Sequence, residues 1–379
     1  MVEVRVDDND DQERPVGIHG GNIYRLAEDL GIKEDEIADF SASINPLGVP
    51  GSVLSEIKNN MKRLCNYPDP DANKLRAAIS KHIGADPESI ICGNGSTELI
   101  YLIIRALKPE KVLIPAPTFS EYERALNDPQ KVRCLVLWET NGFEINPDKF
   151  ISAMSGNDSS ASYKTSLTTS VDMAFLCNPN NPTGRLLPRA SVIKIADAAR
   201  DLKCYLVVDE AFIDFSPGDS VVKEVENNPY LIVLRSMTKF YALTGLRVGY
   251  GVVPPTILDT IKKYKEPWTV NTLAQMSGIA VLNDITYRDE TYKFIRYEKK
   301  TLEDGFKLLN IQFYPSAANY YLIKLIHAQR IMASLREKGI LLRDCSDFIG
   351  LDGTYIRVAV KSNKDNMRLL KELAQWLRA

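Results

Sequence analysis

Histidine is scarce in this chain, with three in 379 residues (His19, His82 and His327), which argues against a metal centre built on imidazole. The six cysteines (65, 92, 134, 177, 204 and 345) never fall at Cys-x-x-Cys spacing, so the usual zinc-ribbon and dithiol patterns are missing. Several stand in apolar strand patterns and read as reduced core residues of a cytoplasmic protein. No apolar run approaches the ~18 residues that a membrane span needs. Neither sign of charge dominates: 47 Lys and Arg face 49 Asp and Glu, and no basic block invites nucleic acid or an anionic membrane. The opening stretch Asp7-Asp-Asn-Asp-Asp-Gln-Glu13 is acidic, the opposite of a cationic export leader, and reads as a mobile tail. There is no internal repeat.

What is present has the balance of a soluble enzyme, 45% hydrophobic and 25% charged. The length exceeds what one core usually supports, so two lobes are expected. From about Ser89 to Val253, apolar strands alternate with helical segments, the pattern of an α/β fold with a mainly parallel sheet flanked by helices. Seven strands are predicted: Ile90-Ile91, Lys111 to Ile114, Cys134 to Trp138, Met173 to Cys177, Tyr205 to Val208, Leu231 to Leu234 and Val248 to Val253. Pro254-Pro255 breaks the pattern. A charged helix, Asp284 to Leu309, leads into a smaller α/β unit with strands near Asn319 to Leu325, Ile340 to Leu342 and Tyr355 to Val360, and a closing helix over Asp365 to Leu377. The expected organisation is an N-terminal arm (1–45), a large domain (46–254), and linking helices with a small domain (255–379). The segment 155–171, rich in small polar residues, reads as a flexible surface insertion.

The most informative stretch is Leu234-Arg-Ser-Met-Thr-Lys239-Phe-Tyr-Ala-Leu-Thr-Gly-Leu-Arg247. A lysine in a hydroxyl-rich turn after an apolar strand suits Schiff-base chemistry with pyridoxal phosphate (PLP), with Ser236, Thr238 and Arg247 around the phosphate. Such an amine must be neutral to react, and cationic neighbours with partial burial lower its pKa. Alone, Lys239 would read as a surface lysine. Three further motifs accompany it. Cys92-Gly-Asn-Gly95-Ser96-Thr97-Glu98 opens a helix, and a glycine turn there presents free N–H groups and the positive dipole end. It has neither the Gly-Lys-Ser/Thr of a Walker loop nor a third dinucleotide glycine. Phe175-Leu-Cys-Asn-Pro-Asn-Asn181-Pro-Thr-Gly184 runs a strand into a polar turn, and Tyr205-Leu-Val-Val-Asp209 places an acid at a strand's carboxyl end, where α/β sheets bind ligands. An aspartate there can pair with a pyridinium nitrogen. Each motif by itself reads as structural. The four in this order point to PLP.

With these motifs the chain resembles fold-type I PLP enzymes of the aspartate aminotransferase superfamily, over nearly everything from His19 onward. Within that superfamily it is most similar to the branch of L-threonine-O-3-phosphate decarboxylase and histidinol-phosphate aminotransferase. The opening His19-Gly20-Gly-Asn22, the block Asp39-Phe-Ser-Ala-Ser43-Ile-Asn45-Pro46, and phenylalanine at 212 rather than tyrosine resemble the decarboxylase. The resemblance implies decarboxylation of threonine phosphate in cobalamin biosynthesis; the alternative is transamination of histidinol phosphate. A regulator that senses PLP without catalysis would need a DNA-binding domain ahead of His19.

The resemblance also implies roles for further residues. Lys239 would carry the cofactor, Phe119 would stack on its ring, and Asn181 and Asp209 would bond the ring oxygen and nitrogen. Arg357 interrupts an apolar strand, where an unpaired guanidinium needs an anionic partner; the resemblance assigns it the substrate α-carboxylate. Arg343, His19 and Gly20 would face the substrate phosphate, and Ser43 and Asn45 would line its site. Ser43 departs from the asparagine of the decarboxylase pattern, which leaves phosphothreonine and phosphoserine both open. Tyr67 would reach the cofactor phosphate of a neighbouring subunit, which implies a homodimer with shared sites.

Overall fold

The computed structural model describes residues 20–157 and 170–378. The expected acidic tail and most of the expected insertion lie outside the described residues.

After a two-residue strand β1 (Ala38–Asp39) come the strands of the main sheet: β2 (Ile90–Gly93), β3 (Val112–Ala116), β4 (Val132–Val136), β5 (Met173–Cys177), β6 (Tyr205–Asp209), β7 (Leu231–Ser236) and β8 (Gly249–Val252). Their order is β2-β8-β7-β6-β5-β3-β4, with β8 antiparallel to both neighbours and the remaining pairs parallel. These strands are apolar almost throughout because both faces are covered. Leu206, Val208, Leu231 and Val233 join a core on one face, while Val207, Ile232, Leu234 and Phe175 join a second core on the other. The helix Gly95–Leu107 covers the second face with Leu99, Ile100 and Ile103.

A second sheet lies toward the C-terminus: β9 (Gln312–Phe313), β10 (Tyr320–Lys324), β11 (Ile340–Leu341), β12 (Arg343–Asp344) and β13 (Tyr355–Ala359). Four of these strands form an antiparallel sheet in the order β12-β13-β10-β9, and β11 instead pairs in parallel with β1. The predicted strand over 340–342 is thus β11, which pairs outside this sheet, and β12, which follows it, was not predicted. The helix Ile285–Leu308, capped by the Asp284 carboxylate on the Tyr287 N–H at 3.0 Å, joins the two bodies. At ~1.5 Å per residue it spans roughly 36 Å, with Tyr287 in the main core and Leu302 and Phe306 in the C-terminal one.

A polar hub sets the bodies against each other. Glu139, just after β4, accepts from Lys324 at 2.8 Å, from the Tyr314 hydroxyl at 2.7 Å and from Gln312 at 3.1 Å. The Lys324 bond first, and then the Tyr314 bond, hold its carboxyl down at about 2. Two sequence expectations need correction. Cys65 is exposed, unlike the five buried cysteines, because the turn Met61–Cys65 lies on the surface. The helix Pro147–Ser155 reaches into the polar segment and ends at Gly156 in the left-handed region, φ 84°. The Val171 N–H bonds the Met154 carbonyl at 2.9 Å, so the two borders of that segment lie together.

Candidate active site

One cavity of about 400 Å³ opens at the carboxyl ends of β5, β6 and β7 and is closed on the far side by β12 and β13. Ser96, Thr97, Phe119, Asn181, Asp209, Ser236, Thr238, Lys239 and Arg247 line it, as do Gly20, Ser43, Arg343 and Arg357.

The lysine comes from the turn that follows β7. Ser236 Oγ and Thr238 Oγ1 lie 2.7 Å apart, and Thr244 Oγ1 donates to the Thr238 carbonyl at 2.8 Å, which fixes the turn. The Lys239 amine is pushed down to about 8, first by burial and then by the cations Arg357, Arg247 and Lys361. An amine so placed has a substantial neutral fraction near physiological pH, the form that attacks a carbonyl.

The Gly95 end of its helix builds a cradle. Gly95 has φ 78°, and a Cβ there would stand 2.7 Å from Arg247 Nη2. A Cβ on Gly249 would stand 2.5 Å from the Ser96 N–H. The guanidinium and the first amides of the helix converge only because both positions lack a side chain. Arg247 has φ 58°, a conformation unfavourable for a residue with a Cβ. With Ser236 and Thr238 these groups are the donors that a dianion at a helix N-terminus would need.

Asp209 ends β6 and is almost fully buried. Burial pushes its carboxyl up, while the Tyr122 hydroxyl at 2.7 Å and the Ala211 N–H at 3.0 Å draw it down. No cation among the described residues forms an ion pair with it, so its charge has room for a protonated ring nitrogen. This acid, the lysine and the dianion cradle fit the donor set that PLP requires. Phe119 meets Tyr122 edge-on at 5.6 Å beside them.

The far wall carries the substrate candidates. Arg357 is buried, yet its partners are neutral: Asn181 Oδ1, and the Ser41 carbonyl at 2.8 Å. Its Nε has no partner, and neither has the buried Ser43 hydroxyl. Arg343 pairs with Asp347 at 2.7 Å and lies 5.0 Å from the Phe348 ring centre. Arg343 and Arg357 are directly opposed in register across β12 and β13. Gly20 presses against Ser41, whose Oγ accepts from the Gly21 N–H at 2.7 Å.

Two expected site residues stand elsewhere. Asn45 is a correction: its amide donates to Thr291 Oγ1 and the Phe240 carbonyl, both at 2.8 Å, and its Oδ1 accepts from Leu47. Those bonds leave it holding the segment around 45 to the main body, off the cavity. Tyr67 is 81% exposed and stacks on Trp268 at 4.7 Å, outside the cavity of its own chain. His19 lies outside the described residues. Sequence reasoning missed Tyr122, Lys361 and Asp39. Lys361 donates to the Ala42 carbonyl at 2.9 Å, and Asp39 accepts from the Ser41 N–H and hydroxyl. Only Tyr122 carried a signal, since it follows Phe119 at helical spacing.

Residues 35–373 match the family described as aminotransferase class I and II, and the chain belongs to that family. It is 38% identical over 367 residues to a threonine-phosphate decarboxylase of Salmonella typhimurium, covering 95% of this chain and 96% of that protein. Among solved structures, it resembles a histidinol-phosphate aminotransferase of Clostridium acetobutylicum with a TM-score of 0.81 at 32% identity, covering 90% of this chain and 99% of the other. It also resembles an L-threonine-O-3-phosphate decarboxylase of Porphyromonas gingivalis with a TM-score of 0.76 at 25% identity, covering 90% and 100%.

Proposed function

We propose that this chain is a PLP-dependent decarboxylase of an O-phosphorylated amino acid, converting L-threonine O-3-phosphate to (R)-1-amino-2-propanol phosphate in cobalamin biosynthesis. The observation that carries this is the pairing of Arg343 with Arg357, two buried guanidiniums in register on the wall facing Lys239. One carboxylate needs only one bidentate arginine, and Asp347 meets only one nitrogen of Arg343, so the second arginine supports a second anion on the substrate. The likeness to a threonine-phosphate decarboxylase over nearly the whole chain favours loss of CO₂ over amino transfer.

When bound, PLP supplies an electron sink for the bond that breaks at Cα. The chain's residues do the rest. Lys239, its amine lowered to about 8, would hold the cofactor. Asp209 would accept from the ring nitrogen, Asn181 would bond the ring oxygen, and Phe119 would cover the ring face. Ser96, Thr97, Ser236, Thr238 and Arg247 hold the cofactor phosphate. Arg357 grips the α-carboxylate, and Arg343 holds the substrate phosphate beside Gly20 and Ser43. Holding a substrate at both ends fixes its rotation about Cα, so these arginines select which bond lies across the ring.

The exposed Tyr67 and Trp268 pair, with Leu54, Met61 and Leu64 also exposed, suits a homodimer in which Tyr67 reaches the partner's cofactor phosphate. Mixing inactive Lys239→Ala and Tyr67→Ala chains should then restore activity through a composite site.

Incubation with O-phosphothreonine, O-phosphoserine and histidinol phosphate tests the reaction, with CO₂ release measured. Stoichiometric CO₂ from O-phosphothreonine is expected. Amino transfer from histidinol phosphate without CO₂ would establish the aminotransferase reading, which the structural likeness at 32% identity favours.

A further inference from the structure

Behind the catalytic cavity, on the other side of β7, lies a second one of about 570 Å³. Successive residues on a strand point to opposite faces, and here Ser236 lines the first cavity while Arg235 lines the second. Its cations arrive from separate elements. His82 closes the helix Asn73–Ile83, Arg288 stands on the first turn of the helix Ile285–Leu308, Lys223 lies in the turn Val222–Asn227, and Arg189 begins the helix Arg189–Asp201.

The carboxylates nearby are largely committed. Asp214, which also lines the cavity, pairs with Arg235 at 2.5 Å, and Glu210 pairs with Arg235 at 3.1 Å. Glu224 pairs with Arg189, and Asp219 accepts from the Arg189 backbone N–H at 3.2 Å. Asp289 follows Arg288 on its helix without an ion pair to it. Lys223 and Arg288 form no ion pair among the described residues. Lys223 Nζ comes within 3.5 Å of where a Cβ on Gly84 would be, so the amine sits at the cavity rim beside His82. Arg235 is 4% exposed, and its buried Nε has no partner. Tyr241 and Tyr292 line the same cavity.

We propose that this cavity is a second anion site, which binds a phosphate-class oxyanion on Arg288, Lys223 and His82 with the Arg235 guanidinium behind them. Two uncommitted cations and an imidazole converging on an opening of this size match a dianion's charge and its several acceptor oxygens. The proposal is independent of what the catalytic cavity turns over.

His82 is a local reporter, because the chain holds only two other histidines. Burial, with Arg235 and Arg288 alongside, lowers its pKa, and a bound dianion would act in the opposite direction. The cofactor-loaded protein labelled with ¹⁵N-histidine is titrated with inorganic phosphate and separately with glycerol 3-phosphate, at constant ionic strength, with His82→Gln to assign the signal. A saturable shift of His82 is expected, weakened about tenfold to a hundredfold in Lys223→Ala with Arg288→Ala and largely restored in Arg288→Lys. Tighter saturation by the ester would identify an organic phosphate as the ligand, and equal saturation would identify phosphate itself. Thermal melting checks that the variants remain folded. The proposal is overturned if His82 does not move, or moves equally in the double variant. It is also overturned if the shift vanishes in Arg343→Ala, because the signal would then follow the catalytic cavity.

Discussion

Arg235 and Arg357 are both buried arginines beside the Lys239 turn, at 4% and 8% exposure, yet their surroundings differ in kind. Arg235 is held by two carboxylates, Glu210 and Asp214, and by the Ser220 hydroxyl. Those carboxylates raise its pKa against a burial that lowers it. Arg357 has an amide and a carbonyl for partners, a tyrosine ring 5.3 Å away, and a pKa pushed down by burial. A buried cation enclosed by two carboxylates, as Arg235 is, is part of the frame. One with neutral partners, opening onto a cavity, is missing an anion that the chain does not supply. The contrast separates structure from function without reference to any relative.

The most damaging change should be Lys239→Ala, which removes the amine the cavity is built around. Activity should fall below detection, and borohydride should no longer fix cofactor to the protein, as read by intact mass. A covalent cofactor adduct surviving in that variant would falsify the placement of the reaction at Lys239.

The next test is the comparison itself. Arg235→Ala leaves Glu210 and Asp214 buried without their cation, and should cost about 3–5 kcal/mol of stability in denaturant unfolding. Arg357→Ala removes an uncompensated charge and should leave stability unchanged or slightly higher. Its effect should fall on substrate use, with kcat/KM for O-phosphothreonine lower by about tenfold to a hundredfold, the worth of a charge-assisted contact. Equal destabilisation by both changes would erase the distinction.

A third test uses pH. The Lys239 pKa is depressed to about 8 from an ordinary 10.5. Cofactor attachment to the apoprotein should therefore quicken as pH rises through about 8 and level off above it. Because the folded-state pKa lies below the unfolded one, the cost of a buried ammonium is fully present below about 8. That cost fades as pH rises toward 10.5, where neither state is charged, so apoprotein stability rises across the window. Arg357→Ala removes a cationic neighbour and should move the attachment midpoint upward.

The smallest effect should come from Tyr122→Phe. It removes one hydrogen bond to Asp209 but leaves the stack of that ring on Phe175 at 4.6 Å. A loss of about tenfold or less in kcat/KM is expected, with stability lower by roughly 1 kcal/mol.

The sequence by itself determined the main sheet and one wall of the site. Alternating apolar strands buried on both faces leave a strong pattern, and Lys239, Asp209 and the Gly95 turn sit where such strands end. The predicted β6 and β7 stopped one and two residues short because these strands turn polar where they reach the cavity, at Asp209 and Ser236, whereas β5 matched and β8 was predicted two residues too long. The far wall depended on the tertiary structure. β1 is two residues long and pairs with β11 some three hundred positions away, a register that no local periodicity carries. Asn45 has the composition of a ligand-binding residue, and only packing shows that its amide is spent on Thr291 and Phe240. Arg235 and Arg357 read alike as arginines in apolar strands. Which of them finds carboxylates is decided by chain segments that arrive from elsewhere in the fold, because charge compensation is a property of distance in space and not of position along the chain.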